Sequence, residues 1–280
     1  MIRQITFIAM CLICLTALAQ EKADILVSYD AKSKGYESDT VKTTRMSLLA
    51  NAQEAKYFND LSLWSDSLGS TPEGKKQLSE IIMAACMSTS PDGGMVFDMR
   101  KGPVKRVYTY VFSDANANLL TYFGKFGDEQ CYYTEPLDEM QWEICDSTAT
   151  ISGYECTAAK SNYHGREWTA WFTTEIPIPF GPWKFHGLPG LILKAEADGG
   201  FEFTVTGIEH TDRVMTPMYS ADTYQKTDRK KALDTEEYFM NNRESLIKAK
   251  YGNVQFNYNA ADRKKYDASK YALEPDYKNR

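Results

Sequence analysis

Histidine is scarce in this chain, with only His164, His186 and His210 among 280 residues. No H-E-x-x-H pair and no G-x-S-x-G elbow occurs, and beyond the N-terminal leader no cysteines are spaced as C-x2-C. The zinc-protease, zinc-finger and α/β-hydrolase patterns therefore have no support. Separations of 22 and 24 residues between the histidines are not those of a local ligand set. Phosphate loops are missing too, because Gly181-Pro182 and Gly187-x-x-Gly190 carry proline where a phosphate cradle needs free N–H groups. A net charge of −6 gives phosphate backbones nothing to bind, so nucleic acid is not an expected partner. No metal or other cofactor is expected. The 38 acidic residues offer many candidates for a carboxylate pair and single out none.

One apolar run stands out, and it is short. Arg3, the stretch Ile5 to Leu18 and the small-residue site Ala17-Leu18-Ala19 read as a signal peptide over residues 1–19. About 14 apolar residues fall short of the roughly 20 that a spanning helix needs. Ile13 before Cys14 is too large for a lipoprotein site. Export is therefore expected, to the periplasm, the outer membrane or the medium, with no membrane span after cleavage. Cys86, Cys131, Cys145 and Cys156 would remain, an even number in an oxidising compartment and hence candidate disulfide partners of open connectivity.

The body of the chain reads as mainly β (α+β): a twisted antiparallel sheet, as an incomplete barrel or a sandwich, with two covering helices. Ile25 to Tyr29, the hairpin arms Thr43 to Leu49 and Glu54 to Phe58, and a series of segments from Val107 to Ile208 have strand character. Gln141 to Cys145 and Ile151 to Lys160 are read as separate strands, and Ser161 to Gly165 as a five-residue hairpin loop. Phe201, Phe203 and Val205 alternate with polar residues, which predicts one buried face. Thr71 followed by Pro72 marks one helix start, and Asp234 with Glu237 marks a second helix ending near Tyr251. Residues 20–252 are read as a single domain. Residues 253–280 are read as a charged, loosely held tail, with one extra strand at Asn253 to Tyr258.

Four of the ten prolines lie in 177–189: Pro177, Pro179, Pro182 and Pro189, interleaved with Gly181, Gly187 and Gly190. Such a stretch is a loop of defined shape rather than a flexible linker. The run Gly187-Leu188-Pro189-Gly190-Leu191-Ile192 resembles the signature of the GLPGLI family, secreted proteins of Bacteroidota without an established activity. Gly153-Tyr154-x-Cys156 with Ala159-Lys160, Gly165-Arg166-x-Trp168-x-Ala170-Trp171, Glu175-Ile176-Pro177 and Gly181-Pro182-Trp183 are similar to that family in the same order. The resemblance implies a Gram-negative envelope setting and supplies no catalytic residues.

Trp168, Trp171, Trp183, Phe185, His186 and Arg166 cluster in and around this loop. They admit two readings, a core sealed by a stiff strap or an apolar pocket for a hydrophobic or peptide ligand. Arg166 is expected to reach a neighbouring strand or a helix end. The functional expectation is a non-catalytic envelope binding or accessory protein. The alternatives are a hydrolase or metal-dependent enzyme using His164, His186 or His210, and a structural partner of an outer-membrane protein.

Overall fold

The computed structural model describes residues 21–36, 40–219, 221–252 and 265–279. The expected signal peptide and the expected strand at Asn253 to Tyr258 lie outside the described residues. Strands β1 (Ile25–Lys34), β2 (Val41–Ala50) and β3 (Glu54–Phe58) form a meander. Helices α1 (Asp60–Gly69) and α2 (Pro72–Cys86) follow, then a separate ribbon of β4 (Met87–Thr89) and β5 (Met95–Phe97). The chain returns with β6 (Tyr110–Asp114), β7 (Leu119–Phe126), β8 (Glu129–Pro136), β9 (Glu143–Ile151), β10 (Tyr154–Tyr163) and β11 (Arg166–Thr173). After the proline-rich segment come β12 (Leu191–Ala197), β13 (Phe201–His210), the short β14 (Gln225–Lys226), α3 (Arg229–Tyr251) and α4 (Ala268–Tyr271).

Twelve strands make one open sheet in the order β14-β8-β7-β6-β3-β2-β1-β13-β12-β11-β10-β9. Its pairings are antiparallel except β14 on β8, which makes the sheet mixed. A single continuous sheet replaces the sandwich alternative. It curls tightly enough that Val27, Leu48 and Tyr57 on one side share a core with Trp168, Trp183 and Phe203. Its centre is covered on both faces: Leu48 belongs to the inner core, while neighbouring Leu49 packs with Phe58, Tyr110 and Met218 on the other. That double burial explains the unbroken Ser47–Ala50 run, all of it buried.

Helix α2 starts where Thr71-Pro72 predicts it, the threonine hydroxyl accepting from Gly74 N at 3.0 Å. Helix α1 has no counterpart among the sequence expectations. Its N-cap is Asn59, whose side chain accepts from Ser62 N, and its sequence carries only a weak apolar stripe. Helix α3 starts earlier than expected, capped by Asp228 rather than Asp234. Strand β9 runs unbroken to Ile151, because the threonine-rich stretch expected as a gap is an exposed sheet edge that suits β-branched residues. The expected five-residue loop is a two-residue turn: His164 and Gly165 take φ of 51° and 82°, the conformation that tight hairpins require. Residues 265–279 are no loose tail. Tyr277 is 2 % exposed and Glu274 4 %, so this segment is part of the core.

The four candidate disulfide cysteines are free thiols in the structure. Cys145 and Cys156 do lie on adjacent strands, but Cys156 faces Ala149, four residues from Cys145. A bulge brings Ile144 opposite Ala159, so Cys145 lies two to three residues along β10 from Cys156, roughly 7–10 Å and still too far to bridge.

Candidate functional site

The strap between β11 and β12 is shaped by its backbone. Ile178 N donates to Ile176 O and Phe180 N to Ile178 O, each at 2.8 Å, making two three-residue turns centred on Pro177 and Pro179. Gly181 N donates to Phe185 O and Phe185 N to Pro182 O, closing a compact loop, and Gly187 N reaches back to Pro179 O. A Cβ on Gly190 would lie 1.9 Å from Thr173 O, so only glycine lets the strap return this close to β11. Leu191 N and Ile192 N then bond to Ile176 O and Phe180 O, fastening the strap to β12. Pro182, Gly187 (φ 87°) and Pro189 complete the stiff path.

This geometry turns the strap inward. Trp168 and Phe185 meet edge to face at 4.8 Å, Trp183 and Phe185 at 5.2 Å, and Trp183 lies parallel to Phe203 at 6.3 Å. Trp168, Trp183 and Phe185 are no more than 3 % exposed. These rings pack on one another and fill the concave side of the sheet, which is the arrangement of a core. Trp171 points to the other face and is only half-buried, opposite Ala158 and Lys194.

Beside the aromatic cluster lies a buried charge network that sequence reasoning missed. Lys184, from the strap, bonds Glu135 at 2.5 Å and Glu274 at 2.8 Å and is 1 % exposed. Arg229, at the start of α3, reaches Glu135 at 3.2 Å, Glu274 at 2.8 Å and Asp276 at 2.7 Å. His164 Nε2 is 3.2 Å from Glu135 Oε1, in ion-pair range but out of line for a hydrogen bond. Its Nδ1 is 3.7 Å from Asp276.

Burial disfavours charge on His164, but the nearby carboxylates of Asp276, Glu135 and Glu274 outweigh it, so its pKa is raised. Burial pushes Glu135 up, yet Lys184 and His164 bring its carboxyl down to about 2. Asp276 is likewise held far below the ordinary range, burial being overcome by His164 and Arg229. Three carboxylates thus face two permanent cations and a histidine biased towards charge. The network is balanced.

Glu135, His164 and Glu274 offer ligand atoms within 4.8 Å of one another, the donor set of a metal centre. The same carboxylate oxygens, however, are taken by Lys184 and Arg229. A divalent cation would add two charges to a balanced, buried cluster, so the residues fit an ion network better than a metal.

The three histidines do not converge. His186 has Nδ1 2.7 Å from Lys184 O and Nε2 2.5 Å from Leu137 O, so both ring nitrogens are engaged by backbone. His210 is exposed at the far end of β13, opposite Ile25. Arg166 stacks on Phe201 at 4.2 Å, so nine residues of extended strand, roughly 30 Å, separate His210 from the Arg166 end.

Arg166 acts on the C-terminal segment. Its guanidinium donates to Ser269 O at 2.9 Å and Ala272 O at 2.6 Å, satisfying carbonyls at the end of α4, and it meets Asp198 at 3.1 Å. The helix-end partner expected for Arg166 is therefore found. No local pattern marks Glu135, Arg229, Glu274 or Asp276. His164 is the member of the network that the sequence singled out, as a candidate for catalysis or metal binding, and the structure gives it to an ion network instead.

Open apolar surface lies elsewhere. A groove of about 960 Å³ runs between α3 and the β7–β8 turn, lined by Phe239, Met240, Leu246 and Ile247, with Lys42 and Lys125 at its rim. Phe239, Leu246 and Ile247 are only half-buried. Among the described residues, no helix is long and apolar enough to cross a membrane.

A family model described as "Protein of unknown function (Porph_ging)" matches residues 162–194, the stretch from the His164-Gly165 turn through the strap. No curated protein matches the sequence. Among solved structures the chain is similar to PNGF-II, with a TM-score of 0.49 and 12 % identity, covering 77 % of this chain and 33 % of that one. The chain thus spans about a third of the length of PNGF-II. A LolA-superfamily protein, NE2245 from Nitrosomonas europaea, aligns at a TM-score of 0.25 and 7 % identity, over 73 % of this chain and 92 % of that one. Likeness this distant assigns no activity.

Proposed function

We propose that this is an exported, non-catalytic binding protein of the cell envelope that takes up an apolar, chain-like ligand in the groove between α3 and the sheet margin. The observation that carries the reading is the groove itself. Its volume, about 960 Å³, is that of a small-molecule site, and its apolar wall is left half-exposed by the fold. The leader argues for export and the resemblance for a Gram-negative envelope. The site is thereby moved from the 177–190 loop, whose aromatic side chains are occupied with one another, to a surface that is still open. The closed, charge-balanced cluster around Lys184 supports a binding role over a catalytic one, since its acids and bases are engaged by one another.

A long-chain fatty acid carrying a fluorescent reporter tests the reading. Saturable uptake is expected, and Leu246→Glu with Ile247→Glu should abolish it while circular dichroism and melting stay unchanged. Uptake that survives both substitutions but is lost in Trp171→Ala would overturn the groove and place the ligand against the outer face of β11. No saturable uptake at all would remove the binding assignment.

A further inference from the structure

Among the described residues, the β4–β5 ribbon pairs with no strand of the main sheet. In its register Met87 faces Phe97 and Thr89 faces Met95, so Met87, Met95 and Phe97 share one face. These three are 39, 74 and 52 % exposed. Met83, Val96 and Met99 add further exposed apolar surface at the same end of the molecule. Single exposed hydrophobics are ordinary, but Met87, Met95 and Phe97 on one face of a ribbon, with Met83 and Met99 close by in sequence, form a patch that calls for a partner. A two-stranded ribbon is also marginal in water unless something covers it.

The charge around the patch identifies the cover. Residues 87–106 carry four basic side chains against two acidic ones, Asp92 and Asp98, and Arg100, Lys101 and Arg106 are exposed in the segment after β5. Of these exposed three, among the described residues, only Arg100 has a carboxylate partner, Asp98 at 2.8 Å. The Arg106 guanidinium donates to the carbonyls of Met99, Arg100 and Val104, which holds an unneutralised charge at the base of the ribbon. The whole chain carries −6, so this end runs against the general sign. An apolar face bordered by basic side chains is the chemistry of a protein that rests on an anionic bilayer.

We infer that the β4–β5 ribbon is a membrane-surface anchor that places Met87, Met95 and Phe97 at the headgroup–acyl boundary of a bilayer containing anionic lipid. Lys101 and Arg106 meet the headgroups. The anchor is separate from the α3 groove and does not depend on it.

Flotation with vesicles tests the inference, using the chain from Gln20 onward so that the leader is absent while every described element is retained. The protein should float with phosphatidylethanolamine–phosphatidylglycerol vesicles and not with phosphatidylcholine alone. M95S/F97S should lower vesicle affinity by about tenfold or more, with circular dichroism unchanged. K101E should lower it too, and added salt should reduce wild-type flotation but affect that variant less. Leu246→Glu in the groove should float normally, which separates this result from the ligand assay. Absence of flotation with anionic vesicles, or equal flotation of M95S/F97S, overturns the anchor. So does a change in oligomeric state of M95S/F97S without vesicle binding, which would make the ribbon a contact between copies.

Discussion

The strap at the centre of the sheet and the margins of the molecule use the same kinds of side chain to opposite ends. At the centre, Trp168, Trp183, Phe185 and Phe203 are at most 4 % exposed, and Lys184 next to them is paired with two carboxylates. At the margins, Phe239 and Ile247 on α3 are half-buried, and Met95 and Phe97 on the ribbon are mostly exposed. The most distinctive piece of the sequence is therefore a fastener. It fastens β11 and β12 to β8 through Lys184 and Glu135, and to the C-terminal segment through Lys184 and Glu274. Surfaces free to meet another molecule lie where the sequence is least distinctive.

The largest test of that contrast is Trp183→Ala. Removing a fully buried indole from a packed core costs about 3–5 kcal/mol, and urea denaturation should register a loss of that size. A loss under about 1 kcal/mol, of the size expected at an exposed position, would mean that the strap is not core. Lys184→Met comes next. It leaves Glu135 and Glu274 short of a cation in a dry site, an expected cost of about 3 kcal/mol. Adding Glu135→Gln should recover part of it, because the uncompensated charge is then removed. Two costs that simply add would show that the pair does not interact.

Much of the sheet was legible because its signals are local. The alternation of Phe201, Phe203 and Val205 forecasts their burial, and the 198–200 turn falls where glycine allows φ of 79° and 85°. The Thr71-Pro72 cap likewise marks α2. What stayed hidden depends on contacts between distant segments. Glu135 and Lys184 are 49 residues apart in sequence, and Arg229 and Asp276 are 47 apart, so no window of sequence contains the network. The segment after residue 264 reads as solvated because it is charged. In the fold, Glu274 and Asp276 are held inside by Arg229 and Lys184. Helix α1 went unseen because it is only ten residues long and owes its stability to packing, through Leu63, against the outer face of the sheet.

Stability against pH sharpens the contrast, since the network titrates and the aromatic core does not. Glu135, held at about 2 when folded against roughly 4.3 when unfolded, contributes stability that is present above the unfolded value and lost as pH falls towards 2. Asp276 acts in the same direction. His164 has the opposite sign: its folded pKa is raised, so its contribution is complete below roughly 6.5 and is lost as pH rises through the folded value. Melting temperature should therefore peak between about pH 4.5 and 6.5. His164→Gln should flatten the alkaline limb and leave the acid limb in place. An alkaline limb that persists in the variant would take His164 out of the network.

The smallest expected effect on stability is at the groove, and its smallness is the point. Ile247→Glu replaces a half-buried side chain that belongs to none of the packed clusters among the described residues. Surface substitutions of this kind change stability by about 0.5 kcal/mol or less. If the groove were unfinished core, a buried carboxylate there would cost several times more, as at any apolar interior site. Urea denaturation of Ile247→Glu beside Trp183→Ala thus compares a surface left open with one the fold has closed. Near-wild-type stability together with lost probe uptake places recognition at the margin. A loss of stability close to that of Trp183→Ala would instead make α3 a second fastener, and the division between centre and edge would fail.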